Sequence, residues 1–434
     1  MSWKSYFDEN IISPKEAIEM IDEGAGVVIS PAAGEPHALT RALNEYADSL
    51  KNVKVMQLLT TGDGTYIGDK NDIDFETCFI GQPVRKAVNE GKADFIPVFF
   101  HQLPEMIQKD AIKCDVALVS ATPPDEEGYV SFGTACDYTV AAVRKAKLVI
   151  AQINDRMPYT FGENRVHVSE INKFVLFSEP VFESFVPKLG ENDKQIGKYC
   201  AQLIDDGATL QLGIGAIPNA VLAQLGNKKD LGIHSELISD GVVELAKSGV
   251  VNGSKKSFKP GKMVATFLMG TQKLYDFVDG NPNIEMREVN HCNDPREIAN
   301  NSQMICINSC IKADLLGQVV SDAIGCRQFS GVGGQVDFLR GAAMANDGLG
   351  KGIIAMESTL EKNGKLISKI VPCLNSGDIV TTSRQDVDYL VTEYGIAELK
   401  WKTVKERAEA IINVAHPDFR QWLKDEFEKQ IMCK

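Results

Sequence analysis

The sequence has little of what usually gives a function away. No run of about 18 apolar residues occurs in its 434 positions, so a spanning helix is not expected. The opening residues, MSWKSYFDENIIS, carry acids and no apolar stretch of the kind a secretory signal needs, which makes a cytoplasmic protein the expectation. The ten cysteines are scattered without a CxxC pair, a pattern of reduced thiols rather than of a disulfide frame. Positive charge is also short, with 46 Lys and Arg against 59 Asp and Glu, for a net charge of −13. Nucleic acid and anionic membranes both call for a basic patch, so neither is an expected partner. An anionic ligand would have to be held locally, by backbone N–H groups and a few placed cations. Missing motifs narrow the chemistry further. There is no GxSxG elbow, no GxxxxGK[ST] phosphate loop and no HExxH pair, and the six histidines are isolated. Cys306 and Cys310, four apart, do not make a metal site, and none is expected.

What is present is alternation. In the first half, residues 53–60, 94–100, 115–120 and 148–153 read as strands, with helices at 83–90 and 104–108. A hairpin is expected within 120–133, and the acids at 125–127 read as a solvated turn. In the second half, 262–268, 305–308, 379–382 and 389–392 read as strands. Residues 353–358 and 367–370 read as a strand pair across a turn at Asn363-Gly364, and 405–423 as amphipathic helix broken at His416-Pro417. Two stretches also resemble each other. AIEMIDEGAGVVISPAAGEPHALTRAL (17–43) lies against YCAQLIDDGATLQLGIGAIPNAVLAQL (199–225). Both read as helix, acid-Gly stop, strand, small-residue loop, proline and helix, with Gly24 and Gly207 each suited to the position after a helix end. One extra residue in the first loop brings Pro36 level with Pro218. The pattern predicts a duplicated α/β unit, hence two similar open α/β domains with mostly parallel sheets and an active site in the cleft between them. PKLGENDK, at 187–194, reads as the linker, dividing the chain into domains 1–187 and 188–434.

The second copy carries the sharpest signal. In 207–241 a strand ends in Gly213-Ile214-Gly215-Ala216-Ile217, Pro218 opens a helix, and a second strand at 231–235 runs out at Glu236. Asp240 can cap the helix that follows. A strand–GxGxx–helix unit turns free N–H groups toward phosphate or a developing oxyanion. Ligands of open α/β sheets lie beyond the carboxyl ends of the strands, so the loop and Glu236 belong to one edge. Two readings of Glu236 stay open here. About 20 residues past the glycines, it fits an acid that holds a nicotinamide dinucleotide's ribose as well as it fits a reacting group. Pro218, in place of a third glycine, counts against the dinucleotide. A second loop, 330–338, places Gly331, Gly333 and Gly334 within four residues and can approach a ligand closely. Asp337 and Arg340 read as an ion pair, and His234, sharing a strand face with Glu236, as a buried ring.

Longer motifs point to a family. GQPVRKAVNEGKADFIPVFF, PDEEGYVSFG and MPYTFGENRVHVSEI in the first half are followed in the second by QLGIGAIPNAVL, LGIHSELISDGVVEL, INSC-x3-DLLGQV, SGVGGQVDFLRGA, IVTTSRQDVDYLVTEYGIAEL and AHPDFR. In this order, over nearly the whole chain, they resemble the acyl-CoA hydrolase/CoA-transferase family. GEPHAL and MVATFLMGTQKLYDFV are most similar to its 4-hydroxybutyrate CoA-transferases. One departure is Trp401, where the family typically has glycine.

The resemblance implies a CoA-transferase that moves CoA from a short-chain acyl-CoA such as acetyl-CoA to a carboxylate, 4-hydroxybutyrate first, in short-chain fatty acid fermentation. Butyrate or succinate transfer, or acetyl-CoA hydrolysis at the same site, are the alternatives it leaves. Glu236 falls on the family's nucleophile, which passes through an anhydride to a glutamyl-CoA thioester with ping-pong kinetics. Gly213, Ile214, Gly215, Ala216, Ile217, Gly331, Gly333 and Gly334 would line the CoA thioester. Lys351 would meet CoA's negative groups, and Gln211 would orient a carboxylate. No permanently bound cofactor is implied, because coenzyme A enters as substrate. A homodimer is expected.

Overall fold

Apolar runs too short for helices become the strands of two sheets, each in its own unit of the computed structural model, which describes residues 2–67, 72–185 and 187–430. One unit comprises Met1–Phe185, Leu237–Asp240 and Met263–Cys292; the other comprises Val186–Glu236, Gly241–Lys262 and Asn293–Lys434.

The first unit is built on seven strands: β1 (Gly26–Ile29), β2 (Val53–Gln57), β3 (Ile73–Thr77), β4 (Asp94–Phe95), β5 (Val116–Ala121), β6 (Leu148–Ile153) and β7 (Lys173–Leu176). They lie in the order β4-β3-β2-β1-β5-β6-β7, every pair parallel. All residues of β1 and β5 are buried, as strands covered on both faces require, and their Val, Ile and Leu run without polar alternation. The chain steps outward from β1 to β4 and then returns to the other side of β1 as β5. That reversal puts a topological switch point at the carboxyl ends of β1 and β5.

The second unit repeats the scheme. Its strands β8 (Thr209–Leu212), β9 (Gly232–Ile233), β10 (Met304–Ser309), β11 (Lys351–Ala355), β12 (Tyr389–Thr392) and β13 (Gly395–Glu398) lie in the order β9-β8-β10-β11-β12-β13. All pairs are parallel except β12 with β13. The chain steps from β8 to β9 and returns on the other side as β10, so the switch point recurs at β8 and β10.

The duplicated stretches occupy equivalent places. Helix α1 (Pro14–Glu19) leads into β1 and then α2 (His37–Glu45); α3 (Glu191–Gln202) leads into β8 and then α4 (Ala216–Leu222). Gly24 and Gly207 both take positive φ, +76° and +80°, which glycine adopts without strain. Each donates its N–H to the carbonyl preceding the neighbouring strand, Lys51 at 3.0 Å and Lys229 at 2.9 Å.

Several local expectations shift. Helix α3 begins at Glu191, inside the expected linker, with Gly190 N–H held by Asp193. Pro218 is the third residue of α4, not the first, but still lies in the turn whose N–H groups lack helical partners. Asp240 starts the helix Asp240–Lys247, yet its carboxylate holds Thr271 through N–H and hydroxyl at 3.0 and 2.8 Å. The segment Tyr129–Ser131 pairs with Arg165–His167 rather than within 120–133. Asp125 organises its turn: burial works against its charge, but the N–H of Tyr129, the Tyr159 hydroxyl and Arg165 together hold its carboxyl below the usual range. The strand expected at 262–268 splits into Met263–Ala265 and Phe267–Leu268, which pair with different partners. The Asn363-Gly364 turn does close a hairpin, but of Thr359–Lys362 with Lys365–Ser368. Residues 379–382 contribute only an isolated bridge, Thr382 to Val319. Trp401 takes φ +58° and is 93% exposed, a backbone setting that suits the family's glycine better than tryptophan.

Candidate active site

The second unit's switch point gathers the glycine loop and Glu236. Strand β8 ends at Leu212, and the chain turns through Gly213 to Gly215, whose φ of +115° with ψ −173° is open essentially to glycine alone. Strand β9 is short because the chain leaves the sheet at once. His234 N–H still reaches the Leu210 carbonyl at 3.1 Å, and the Ser235 hydroxyl reaches the Leu212 carbonyl at 3.2 Å. The Ser235 bond fixes the residue before Glu236 to the last residue before the loop. On the other side, the buried Lys256 ammonium holds the Ile233 and Lys262 carbonyls, each at 2.8 Å. Gly232 is what admits this lysine, since a Cβ there would stand 2.3 Å from its Cγ. The His234 ring is enclosed, with Phe258 and Phe338 at 5.9 and 6.1 Å.

The second glycine loop meets the same carboxylate. Asn293 Nδ2 donates to Glu236 Oε2 at 2.7 Å, and the Gly334 N–H donates to the same carboxylate. A Cβ on Gly334 would lie 2.2 Å from Oε2 and 2.5 Å from Asn293 Nδ2, so glycine is required there for space. Helix α5 (Gln335–Ala343) starts at the next residue, ending the loop four residues earlier than the sequence suggested and placing Asp337 and Arg340 on the helix. Arg340 reaches Asp386 with two bonds of 3.2 Å. The loop is braced from behind. The Asp322 carbonyl accepts the N–H groups of Phe329 and Ser330 at 2.8 and 3.0 Å. Gln335 Nε2 donates to the Ser321 and Thr382 hydroxyls at 2.9 and 2.8 Å.

Glu236 is partly exposed, yet protein crowds its carboxyl. Burial pushes it up to about 7; the Asn293 and Gly334 bonds pull it down, and nearby Asp337 pushes it up. It is therefore an acid balanced near neutrality, on a partly exposed residue, with its carboxylate held by fixed donors.

The other expected residues divide. Gly213 to Ile217 lie beside Glu236 through the Ser235 bond, with Ile214 exposed on the loop, and Gly331 and Gly333 lead into Gly334. Gln211, on β8, pairs its amide reciprocally with Asn308 on β10, at 3.3 and 3.0 Å, across the switch point. Lys351 does not join them. It opens β11, and its ammonium holds the Leu203 carbonyl at 2.7 Å and Asp205 at 3.2 Å, at the turn that precedes β8. That is the amino edge of the sheet, because parallel strands put their first residues opposite the glycine loop. Asn293 is the residue that sequence reasoning missed. It precedes Asp294, which caps a short helix, and nothing local connects it with a glutamate 57 residues away. Among the described residues no cluster of His, Cys, Asp and Glu could hold a metal ion, and no helix is long and apolar enough to cross a membrane.

Comparison with known proteins identifies the family. Residues 1–187 match the acetyl-CoA hydrolase/transferase N-terminal domain, and residues 270–427 match the C-terminal domain of the same name. A 4-hydroxybutyrate coenzyme A transferase of Clostridium kluyveri is 49% identical over 99% of this chain and 100% of its own. The crystal structure of a 4-hydroxybutyrate CoA-transferase from Porphyromonas gingivalis matches with a TM-score of 0.83 at 38% identity, covering 99% of this chain and 100% of its own. RipA from Yersinia pestis matches with a TM-score of 0.91 at 34% identity, covering 99% of each chain.

Proposed function

The chain belongs to the acetyl-CoA hydrolase/transferase family, and from that membership and the setting of Glu236 we propose a CoA-transferase that carries CoA from a short acyl-CoA, acetyl-CoA first, to a carboxylate, 4-hydroxybutyrate first. The observation that carries the reading is one carboxylate at a switch point, partly exposed, with one oxygen already on the Asn293 amide.

Glu236 attacks the thioester carbonyl. The tetrahedral intermediate collapses to an acyl-glutamyl anhydride and CoA thiolate. The thiolate attacks the glutamyl carbonyl, giving a glutamyl-CoA thioester and releasing the donor's carboxylate. The acceptor carboxylate then attacks that thioester, and the returning thiolate takes the new acyl group, restoring Glu236. No proton is gained or lost over the cycle.

The geometry suits each stage. Holding carboxylate and carbonyl together replaces a bimolecular encounter, worth at best about 7–11 kcal/mol. With Oε2 fixed on Asn293, Oε1 is the oxygen left to attack. When the glutamyl carbonyl is itself attacked, Oε2 becomes the oxyanion, and its donor is already in place. A fixed donor of this kind is worth about 3–4 kcal/mol elsewhere. The 213–217 loop supplies N–H groups for the other oxyanion, on the acyl carbonyl.

The test is to incubate the protein with acetyl-CoA, reduce with borohydride and map the product by mass spectrometry. Reduction at Glu236, and loss of exchange in Glu236→Ala, are expected. An unmodified Glu236 with full activity in the alanine variant would overturn the mechanism. Running acetyl-CoA with and without acceptor acids separates transfer from hydrolysis, since rapid thiol release without acceptor would assign a hydrolase. A homodimer belongs to the same proposal and is read by light scattering.

A further inference from the structure

Strand β9, which leads to Glu236, is the edge of its sheet. Along it the N–H groups of Gly232 and His234 point inward, to the Ala208 and Leu210 carbonyls at 2.9 and 3.1 Å. Backbone groups alternate in direction along a strand, so Leu231 and Ile233 turn theirs outward, where the sheet has no further strand. At Leu231 a passing segment fills the gap. Its N–H reaches the Val250 carbonyl at 2.9 Å, and its carbonyl accepts the N–H groups of Asn252 and Gly253 at 3.0 and 2.9 Å. At Ile233, itself buried, a side chain takes over: the Lys256 ammonium, on a residue 4% exposed, donates to the carbonyl at 2.8 Å. A buried carbonyl without a donor is costly, and a charged donor bonds more strongly than a neutral one. Gly232 clears the path of the lysine stem, and since it is not in the left-handed region its missing side chain serves space alone.

The same segment also grips the chain behind Asn293. The Ser257 hydroxyl donates to the Asn300 carbonyl at 2.6 Å and accepts the Ser302 N–H at 2.7 Å, while the Ser302 hydroxyl donates to the Lys255 carbonyl at 3.4 Å. Asn300 follows the short helix Pro295–Ile298, which begins two residues after Asn293. Both ends of the Glu236–Asn293 bond are thus tied to residues 255–257. We propose that Lys256 is a positioning residue: by closing the outward side of β9 three residues before Glu236, it fixes where the nucleophile meets its amide donor. The inference rests on the CoA-transferase reading, which makes Glu236 the nucleophile.

The experiment mixes excess protein with acetyl-CoA and no acceptor acid, quenches it rapidly, and follows the glutamyl-CoA thioester at Glu236 by mass spectrometry. Lys256→Met keeps the length of the stem and removes the ammonium. Its single-turnover rate should fall on the order of 10- to 100-fold, the scale of a small misplacement of a reacting group. Affinity for free CoA, measured by titration calorimetry, should stay unchanged. Gly232→Ala displaces the lysine stem while leaving the strand's own N–H groups in place, and should lower the same rate; it serves as the independent variant where Lys256→Met does not fold. Circular dichroism and thermal melts report folding. A folded variant that loses Tm but forms the thioester at the wild-type rate gives Lys256 a merely structural role and overturns the proposal. Wild-type protein that forms no thioester overturns the transferase mechanism instead, and this inference with it.

Discussion

Glu236 shows how one residue is made reactive by what surrounds it. In water a carboxylate is fully charged near neutral pH and well solvated, and so a weak nucleophile. Here burial raises it to about 7, against the Asn293 and Gly334 bonds. The reacting form is the carboxylate, so kcat/KM for acyl-CoA should rise with pH through about 7 and level off above it. Asp337→Asn removes a neighbouring negative charge that pushes the carboxyl up, and should move that limb to lower pH. A limb that stays in place would show that Asp337 does not act on Glu236. Stability follows the same sign. A carboxyl raised in the folded state favours folding below its unfolded value, and that contribution is lost as pH rises through about 7. Glu236→Gln should therefore gain Tm relative to the wild type at pH 8 compared with pH 5, read by thermal melts at both. Of this residue, the sequence showed position and type. It left ribose-holding and reaction both open, tilted only slightly by Pro218, until longer motifs were compared. It could not show Asn293, because that contact joins residues 57 apart with no shared periodicity.

At the scale of elements, two glycines serve different ends, and substitution separates them. Gly215 is glycine for its backbone, and alanine there should cost about 1–3 kcal/mol of stability. Gly334 is glycine for space, since Oε2 and Asn293 occupy the place of its Cβ. Gly334→Ala should reduce turnover on the order of 100- to 1000-fold, the scale of losing a fixed donor, by displacing the loop from Glu236. Steady-state kinetics beside a melt distinguish the two: Gly215→Ala should lose Tm, and Gly334→Ala should lose turnover. The glycine loops were legible because their composition is local. Their ends were not, since Pro218 and Gln335 both lie inside helices that begin where hydrogen bonding allows. Lys351 is the clearest displacement. A glycine-flanked lysine in a family motif suggested phosphate, but the strand it opens carries it to the amino edge, where Asp205 and the Leu203 carbonyl hold it.

Over the whole molecule, the net charge of −13 faces a polyanionic substrate, so encounter with acyl-CoA works against repulsion. Raising ionic strength from about 0.01 to 0.15 M shortens screening from about 30 to 8 Å and should raise kcat/KM. A fall would show instead that local cations steer the ligand. The duplication was visible in the sequence because equivalent helix stops, strands and loops recur at matching spacing, and these are local preferences. Alternating strands and helices likewise determined two mostly parallel α/β sheets. Strand order was decided by tertiary structure alone. That order returns β5 beside β1 and β10 beside β8, and so creates a switch point in each unit. Tertiary structure also decided that Leu237–Asp240 and Met263–Cys292 join the first unit. It set Asn293 on Glu236 and the Lys256 ammonium on the Ile233 carbonyl. The physical reason is common to these cases. Periodicity and turn chemistry act over a few residues and are written in order along the chain, whereas the partner of a buried polar atom is fixed by which distant segments pack together.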